Sequence, residues 1–543
     1  MGLSVSAQTV ICLILGLIVH RLYASFSASR HYRRFVQENG CAEPPTEFSK
    51  LPFGLSTVIR MMTTKGDFLD NFTMAKYFEL GWTHKTFGSY GRQNIDTVEP
   101  LNVQTMLVTK FKDFNTGRIR EMMFGSLLGY GIATSDGAFW EHSRAMMRPQ
   151  FSREQVTNLH DIETELQNLL KAIAARTKDS VAEVDLLPLF YRLTFDAATE
   201  FLLGQSVNSQ LASFQDLPKD TDYTPDQLVL DAQVDPRVEE NQKFAEAFEY
   251  AQDFMIWRLR LGPLFWLGTN SRFRESCATV HRFADRYIDK VLHPEKYPGE
   301  KSEHAKSRKK FNLLGALAES TQDPKELRDQ ILQVLSGGRD TTAALLSWVF
   351  TLLARHPDAF TKLRTEVLAV VGPEGPNGVD LETMTVPKLR SITYLKWFLN
   401  ETLRLYPVVP NNNRVAARDT VLPRGGGPDA SQPIAVMKGD IVNWAVYGMH
   451  RREDIWGPDA AEFKPERWEG RRPGPEFVPF NSGPRTCIGQ QFALNEVSFV
   501  IVRLIQRYDG ITLQDPSEKI EKKVSLGLSP ANGVNVRLHR ASE

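Results

Sequence analysis

The stretch Lys325 to Arg355 is about 30 residues long, keeps helical periodicity throughout and has no proline after Pro324. It reads as one helix long enough to cross an entire domain, and a chain built round such a helix is mainly α. Its centre nevertheless reads Gly337-Gly338-Arg339-Asp340-Thr341-Thr342. Each glycine in a helix interior costs about 1 kcal/mol relative to alanine. The threonines prefer strands or bond back to helix carbonyls. Local conflicts of this kind concentrate at functional sites. The glycines let a flat group approach the backbone, Thr341 can tilt a carbonyl out of the ladder, and Asp340 offers a proton relay. An ordinary kink is the competing reading of this motif taken alone.

The rest of the chain supports one large domain. Ile162 to Ala175, Asn241 to Leu261 and Gly489 to Tyr508 also carry helical periodicity. Strand signals are few and short, at Gly439 to Trp444 and Val534 to Leu538, with loops expected at Gly372 to Gly378 and Pro423 to Pro428. The charged run Lys301 to Lys310 reads as a solvated loop. Lys+Arg and Asp+Glu both total 65, so there is no basic surplus for nucleic acid. Four scattered cysteines, Cys12, Cys41, Cys277 and Cys487, with no CxxC pair, exclude a disulfide scaffold and a thiolate zinc site. The apolar run Val10 to Val19 is followed by Arg21, Arg30, Arg33 and Arg34 and preceded by no basic residue. Residues 1–20 are therefore expected to be a retained signal-anchor helix that leaves the remainder cytoplasmic. Residues 21–45 are expected to form a basic hinge ending in the stiff Pro44-Pro45 elbow, and 46–543 the globular domain.

Two further segments carry chemistry. Glu401 and Arg404 are three apart on one helical face, a spacing with little weight alone. Phe480 to Gly489 (FNSGPRTCIG) leads straight into a helix. Cys487 therefore stands before a helix amino terminus, where free N–H groups and the dipole favour a thiolate. Gly483 and Gly489 allow a tight turn against a planar ligand, Phe480 packs below it, and Arg485 is placed to pair with a carboxylate on its edge.

Together these stretches resemble the cytochrome P450 superfamily of haem-thiolate monooxygenases. Phe480, Gly483, Arg485, Cys487 and Gly489 fill its FxxGxRxCxG pattern, Gly337 to Thr342 fills (A/G)Gx(D/E)TT, and Glu401 with Arg404 matches its ExxR pair. Phe463 to Trp468 resembles the segment supplying the third partner, Arg467, and Trp140 with Arg144 matches the WxxxR helix that meets a haem propionate. The resemblance implies a mainly α fold with a minor β portion behind the N-terminal anchor, with haem b bound through Cys487 as axial ligand of its iron. It implies propionate contacts from Trp140, Arg144, Arg414 and Arg485, proton delivery by Asp340 and Thr341, and a structural triad of Glu401, Arg404 and Arg467.

The stretches 131–151, 327–348 and 480–496 look most like the fungal n-alkane and fatty-acid ω-hydroxylases. That likeness implies a hydrophobic substrate hydroxylated at a chain end, at the endoplasmic reticulum membrane. Asn411-Asn412-Asn413 is more polar than is usual after the ExxR helix, which points to polar groups on the substrate or to a specialised fungal pathway. Met122 to Ile132, Leu332 to Leu335, Val408 to Asn413 and Leu526 to Ser529 are expected to line the pocket. The segment after Cys487 is too short for a fused flavin domain, so electrons are expected from NADPH through a separate flavoprotein reductase. Arg148, Arg471 and Arg472 are docking candidates for it, or plain surface charge. An oxygen-independent haem-thiolate isomerase or dehydratase is the rival enzyme class, against which intact Asp340 and Thr341 argue. Cys487→Ala is expected to abolish the reduced-CO absorption band of haem-thiolate proteins; a spectrum that keeps the band would refute the ligand assignment.

Overall fold

The computed structural model describes residues 5–541 except 48–50, 52–54, 88–92, 153–158, 215–235, 260, 298–310 and 376–380. The charged run Lys301 to Lys310 and part of the Gly372 to Gly378 loop lie outside the described residues. The longer helices are α1 (Val5–Glu38), α2 (Arg118–Leu128), α3 (Gly137–Met147), α4 (Leu159–Ala174), α5 (Leu186–Leu203) and α6 (Pro236–Leu259). They continue with α7 (Ser271–Leu292), α8 (Pro324–Arg355), α9 (Pro357–Val371), α10 (Thr393–Leu405) and α11 (Gln490–Arg507). The fold is mainly helical, as expected, and the helices anticipated from periodicity recur with ends shifted by a few residues. α8 starts where Pro324 occupies the first turn and the Asp323 side chain accepts from the N–H groups of Lys325 and Glu326. It stops at His356, before Pro357.

The β portion is small. One six-stranded sheet orders Thr46–Glu47, Thr83–Phe87, Gln93–Thr97, Ile441–Ala445, Asn411–Ala416 and Phe114–Asn115. A second sheet pairs Tyr508–Leu513, Asn535–Arg540, Val181–Asp185 and Thr177–Lys178. Pro423 to Gly426, expected in a loop, instead belongs to a strand, Thr420–Gly426, antiparallel to Gln432–Val436. The register shifts between Leu422 and Gly426, which accommodates a proline that has no N–H to give.

The expected hinge also differs. α1 runs unbroken to Glu38, because no glycine or proline interrupts residues 21–38. Its end is tied to the globular part: His31 meets Asp419 at 2.6 Å, and Lys85 Nζ donates to the Tyr32 hydroxyl and to Glu43, both at 2.8 Å. Over Cys12–Glu38 α1 is long and apolar enough to cross a membrane and none of that stretch is buried, with Leu13, Leu17 and Val19 each 64% exposed.

Two apolar cores meet along α8. Leu327, Ile331, Leu332 and Leu335 pack with α6 and α7, whereas Ala343 to Ala354 pack with α4, α9, α10 and α11. α5 contributes to both. The glycine-threonine segment of α8 therefore lies at the seam, where the helix leaves one core and enters the other.

Among the described residues, one buried carboxyl oxygen without a hydrogen-bond partner belongs to α11. Glu496 of α11 is 2% exposed with Oε1 unbonded, and burial pushes its carboxyl up to about 8. The folded protein holds this proton at pH values where the unfolded chain has lost it, so stability falls as pH rises toward 8. Glu496→Gln is expected to raise Tm relative to wild type by a margin that grows between about pH 5 and pH 8. A margin independent of pH in thermal unfolding would contradict this assignment.

Candidate functional site

The loop before α11 is folded by its own backbone. Cys487 N–H donates to the Phe480 carbonyl at 2.9 Å and Thr486 N–H to that of Gly483 at 3.0 Å. Gly483 has φ +68° and a side-chain carbon there would sit 1.9 Å from the Leu107 carbonyl oxygen, so only glycine fits. Phe480 packs half-buried against the larger core, and Gly489 is the last residue before α11. The Cys487 thiol is accessible although protein surrounds it, so it faces an internal chamber rather than the outer surface. Burial pushes this thiol up; the N–H groups of Gly489 and Gln490 and the Arg144 charge pull the other way without prevailing. The helix-terminus effect read from the sequence is thus present, but desolvation outweighs it until a cation meets the sulfur.

A cluster of guanidinium groups lies around Asp136. Arg485 Nη2 donates to Asp136 Oδ1 at 2.7 Å and to the Ser135 carbonyl at 2.9 Å, and its guanidinium stacks 4.2 Å from the Trp140 ring centre. Arg144 approaches the same ring at 6.0 Å. Arg414 is 2% exposed and, among the described residues, donates to the Asn413 carbonyl alone, at 2.8 Å. Burial holds the Arg414 pKa well below the ordinary arginine value, helped by the charges of Arg120 and Arg485. Burial also brings Arg485 down to about 10, against the pull of Asp136. One carboxylate thus answers three guanidinium groups, Arg120, Arg414 and Arg485. Such a surplus calls for an anionic ligand. The two propionates of a haem would supply those charges, and the accessible thiol would bind its iron, so the residues present fit the group.

Arg120 was not found from the sequence. It lies in α2 within no motif, and only the approach of the 411–416 strand gives it a role. Its Nη2 donates to Asn412 Oδ1 at 2.7 Å and Asn413 Oδ1 at 3.2 Å. The polarity of Asn412 and Asn413, read from the sequence as a sign of a polar substrate, is used here to hold an arginine.

The Glu401–Arg404 pair is fully buried. Arg404 donates to Glu401 Oε2 and Oε1 at 2.8 and 2.7 Å, and to the carbonyls of His450, Ala460 and Glu462. Arg467 reaches Glu401 Oε1 at 3.3 Å and Asp459 at 2.7 Å. Lys464 N–H and Trp468 Nε1 complete the carboxylate shell, each at 3.0 Å.

At the seam of α8, Gly337 is exposed within an otherwise buried helix and has open space where a side chain would be. The Thr341 hydroxyl donates to the Gly337 carbonyl at 2.6 Å. Asp340 faces away from this opening: Arg339 Nη1 donates to it at 2.9 Å and Gln252 Nε2 of α6 donates to its other oxygen. Burial raises the Asp340 carboxyl to about 6, against the Arg339 charge. Two of the expected pocket segments converge, since Gly527 packs on Val408, with Ala344 and the Asp340 carbonyl of α8 beside them.

A mainly helical domain whose accessible loop cysteine lies beside a cluster of surplus cations belongs to the haem-thiolate class. The family model described as Cytochrome P450 matches residues 85–535, and the chain belongs to that family. It is similar to Cytochrome P450 monooxygenase g430 of a Fusarium species, 41% identical over 99% of this chain and 91% of the relative. It is also similar to Cytochrome P450 52A5 of Candida maltosa, 40% identical over 97% and 96% of the two chains. A further relative is Cytochrome P450 52A1 of Candida tropicalis, 44% identical over 82% and 78%. The protein is a cytochrome P450 monooxygenase.

Glu401→Ala leaves Arg404 and Arg467 without their carboxylate in the core, a cost of about 3–5 kcal/mol. Loss of folded holoprotein is expected, read as yield and Tm; normal accumulation of the variant would remove the triad from its structural role.

Proposed function

We propose that this monooxygenase is held by α1 in the endoplasmic reticulum membrane and hydroxylates the end of a long alkyl chain, an n-alkane or fatty acid. Its electrons come from NADPH through a separate flavoprotein reductase. The observation that carries the substrate reading is the apolar junction of Val408, Ala344 and Gly527 beside Asp340 and Thr341, with the amide oxygens of Asn412 and Asn413 accepting from Arg120. An alkyl chain needs such a wall and no polar partner near its reacting end. Similarity to the Candida chains supports the same reading.

Haem, once bound, supplies oxygen activation and C–H oxidation. Cys487 provides the thiolate for its iron. Trp140, Arg144, Arg414 and Arg485, with Arg120, hold its carboxylates and neutralise their charge. Thr341 commits its hydrogen to the Gly337 carbonyl, which leaves its oxygen to accept a hydrogen bond and so to hold a proton-donating group in place. Asp340, titrating near 6, gains and loses a proton close to neutral pH. Arg339, within 3.6 Å of the exposed Glu249, links it to the surface.

Thr341→Ala is expected to keep the haem and the reduced-CO band while product per NADPH falls and hydrogen peroxide rises; equal coupling would count against the relay. Microsomes carrying the protein and a reductase, given alkanes, fatty acids and sterols, are expected to yield chain-end alcohols of the first two by mass spectrometry. Products from sterols alone would overturn the substrate assignment.

A further inference from the structure

Among the described residues, the backbone N–H groups in the middle of the turn joining α2 to α3, residues 129–136, are met by side chains of α8. Tyr130 N–H donates to Asp329 Oδ2 at 2.9 Å, Ile132 N–H to Gln330 Oε1 at 3.2 Å and Ala133 N–H to Gln333 Oε1 at 2.7 Å. Gln333 Nε2 returns a bond to the Leu128 carbonyl at 3.1 Å and another to Thr134 Oγ1 at 2.9 Å. Gln330 Nε2 reaches Ser143 of α3 at 2.6 Å. All three α8 side chains are buried, Gln330 completely. Gly129 has φ +65°, and a side-chain carbon there would fall 2.0 Å from the Asp329 carboxyl carbon, so the turn and the carboxylate are fitted to each other.

This turn ends in two of the groups that hold Arg485, the Ser135 carbonyl and Asp136. Asp136 also accepts from the Thr116 and Gly117 N–H groups, at 2.8 and 2.9 Å, immediately before Arg120 in α2. On α8, Gln333, Gly337 and Thr341 are spaced by four residues and share one helical face. One stripe of α8 thus carries the clamp, the opening and the hydroxyl in succession.

We propose that Asp329, Gln330 and Gln333 are positioning residues that set, through the 129–136 turn, both the Asp136–Arg485 pair and the pocket wall formed by that turn. Its substrate consequence rests on the proposed alkyl-chain reading; its consequence for the arginines does not. Loosening the turn lets Arg485 withdraw. Less positive charge beside the haem carboxylates then favours the ferric over the ferrous state.

The test compares Gln333→Leu, which removes donor and acceptor, with Gln333→Glu, which keeps the acceptor for Ala133 N–H. Leu317→Ala, in the same apolar core and outside the clamp, is the stability control. Two quantities are read on holoprotein with a normal reduced-CO band. These are the midpoint potential without substrate, and the apparent Kd for dodecanoic acid from its spin-state shift.

Gln333→Leu is expected to have a more negative potential and a Kd for dodecanoic acid raised about tenfold. Gln333→Glu is expected to fall between the two, and it decides the matter if the leucine variant does not accumulate. Leu317→Ala is expected to lower Tm and move neither quantity. A Gln333 variant that lowers Tm while potential and Kd stay at wild-type values overturns the proposal. If wild type itself fails to bind dodecanoic acid, the alkyl-chain reading fails, and the potential alone still judges the clamp.

Discussion

A carboxylate taken wholly out of water is tolerated only when its oxygens are fully engaged, and Glu401 meets that condition with donors from four residues. Those donors lie on α10 and on the 464–468 segment, and the arginines among them go on to bind the carbonyls of His450, Trp456, Ala460 and Glu462. A single buried charge therefore gathers a long irregular stretch that has little regular structure to hold it. The cysteine loop follows that stretch directly. Its placement depends on this anchor as much as on its own turns.

Charge also organises the opposite side of the chamber. Arg120, Arg414 and Arg485 converge on Asp136 from a helix, a strand and the cysteine loop. Desolvation lowers all three pKa values, the mark of a cluster built to receive anions. The same physics runs in reverse at Cys487, where burial disfavours the thiolate despite the N–H groups aimed at it. Both ends of the chamber are costly as bare protein and become favourable when one ligand brings a cation to the sulfur and carboxylates to the arginines.

α8 reconciles packing with chemistry by changing character along its length. Its two ends are apolar and lie in different cores, whereas its middle opens at Gly337 and turns Asp340 toward α6. The conflict between glycine-threonine composition and helical structure is resolved without breaking the helix, because α5 and both cores support it from outside. Thr194 of α5 contributes directly, donating to the Arg339 carbonyl at 2.8 Å.

Local pattern was sufficient for the helices and for the cysteine turn, since each depends on residues near one another in the chain, whereas the pairing of Glu401 with Arg404 gained weight only from the family resemblance. The continuation of α1 through residues 21–38 was missed, because the basic residues and the Pro44-Pro45 elbow were read as a hinge although no breaker interrupts 21–38. The strand at Thr420–Gly426 was not, because its pairing with Gln432–Val436 overrides the turn preference of Pro423 and the glycines after it. Arg120, the use of Asn412 and Asn413, and the clamp from Asp329, Gln330 and Gln333 were likewise invisible. Sequence alone determined which residues could bear charge or sulfur and how the nearby backbone would turn. Tertiary structure alone decided which distant charges share a buried space, because the strength of a charge or hydrogen bond is set by the partners and water left around it after folding.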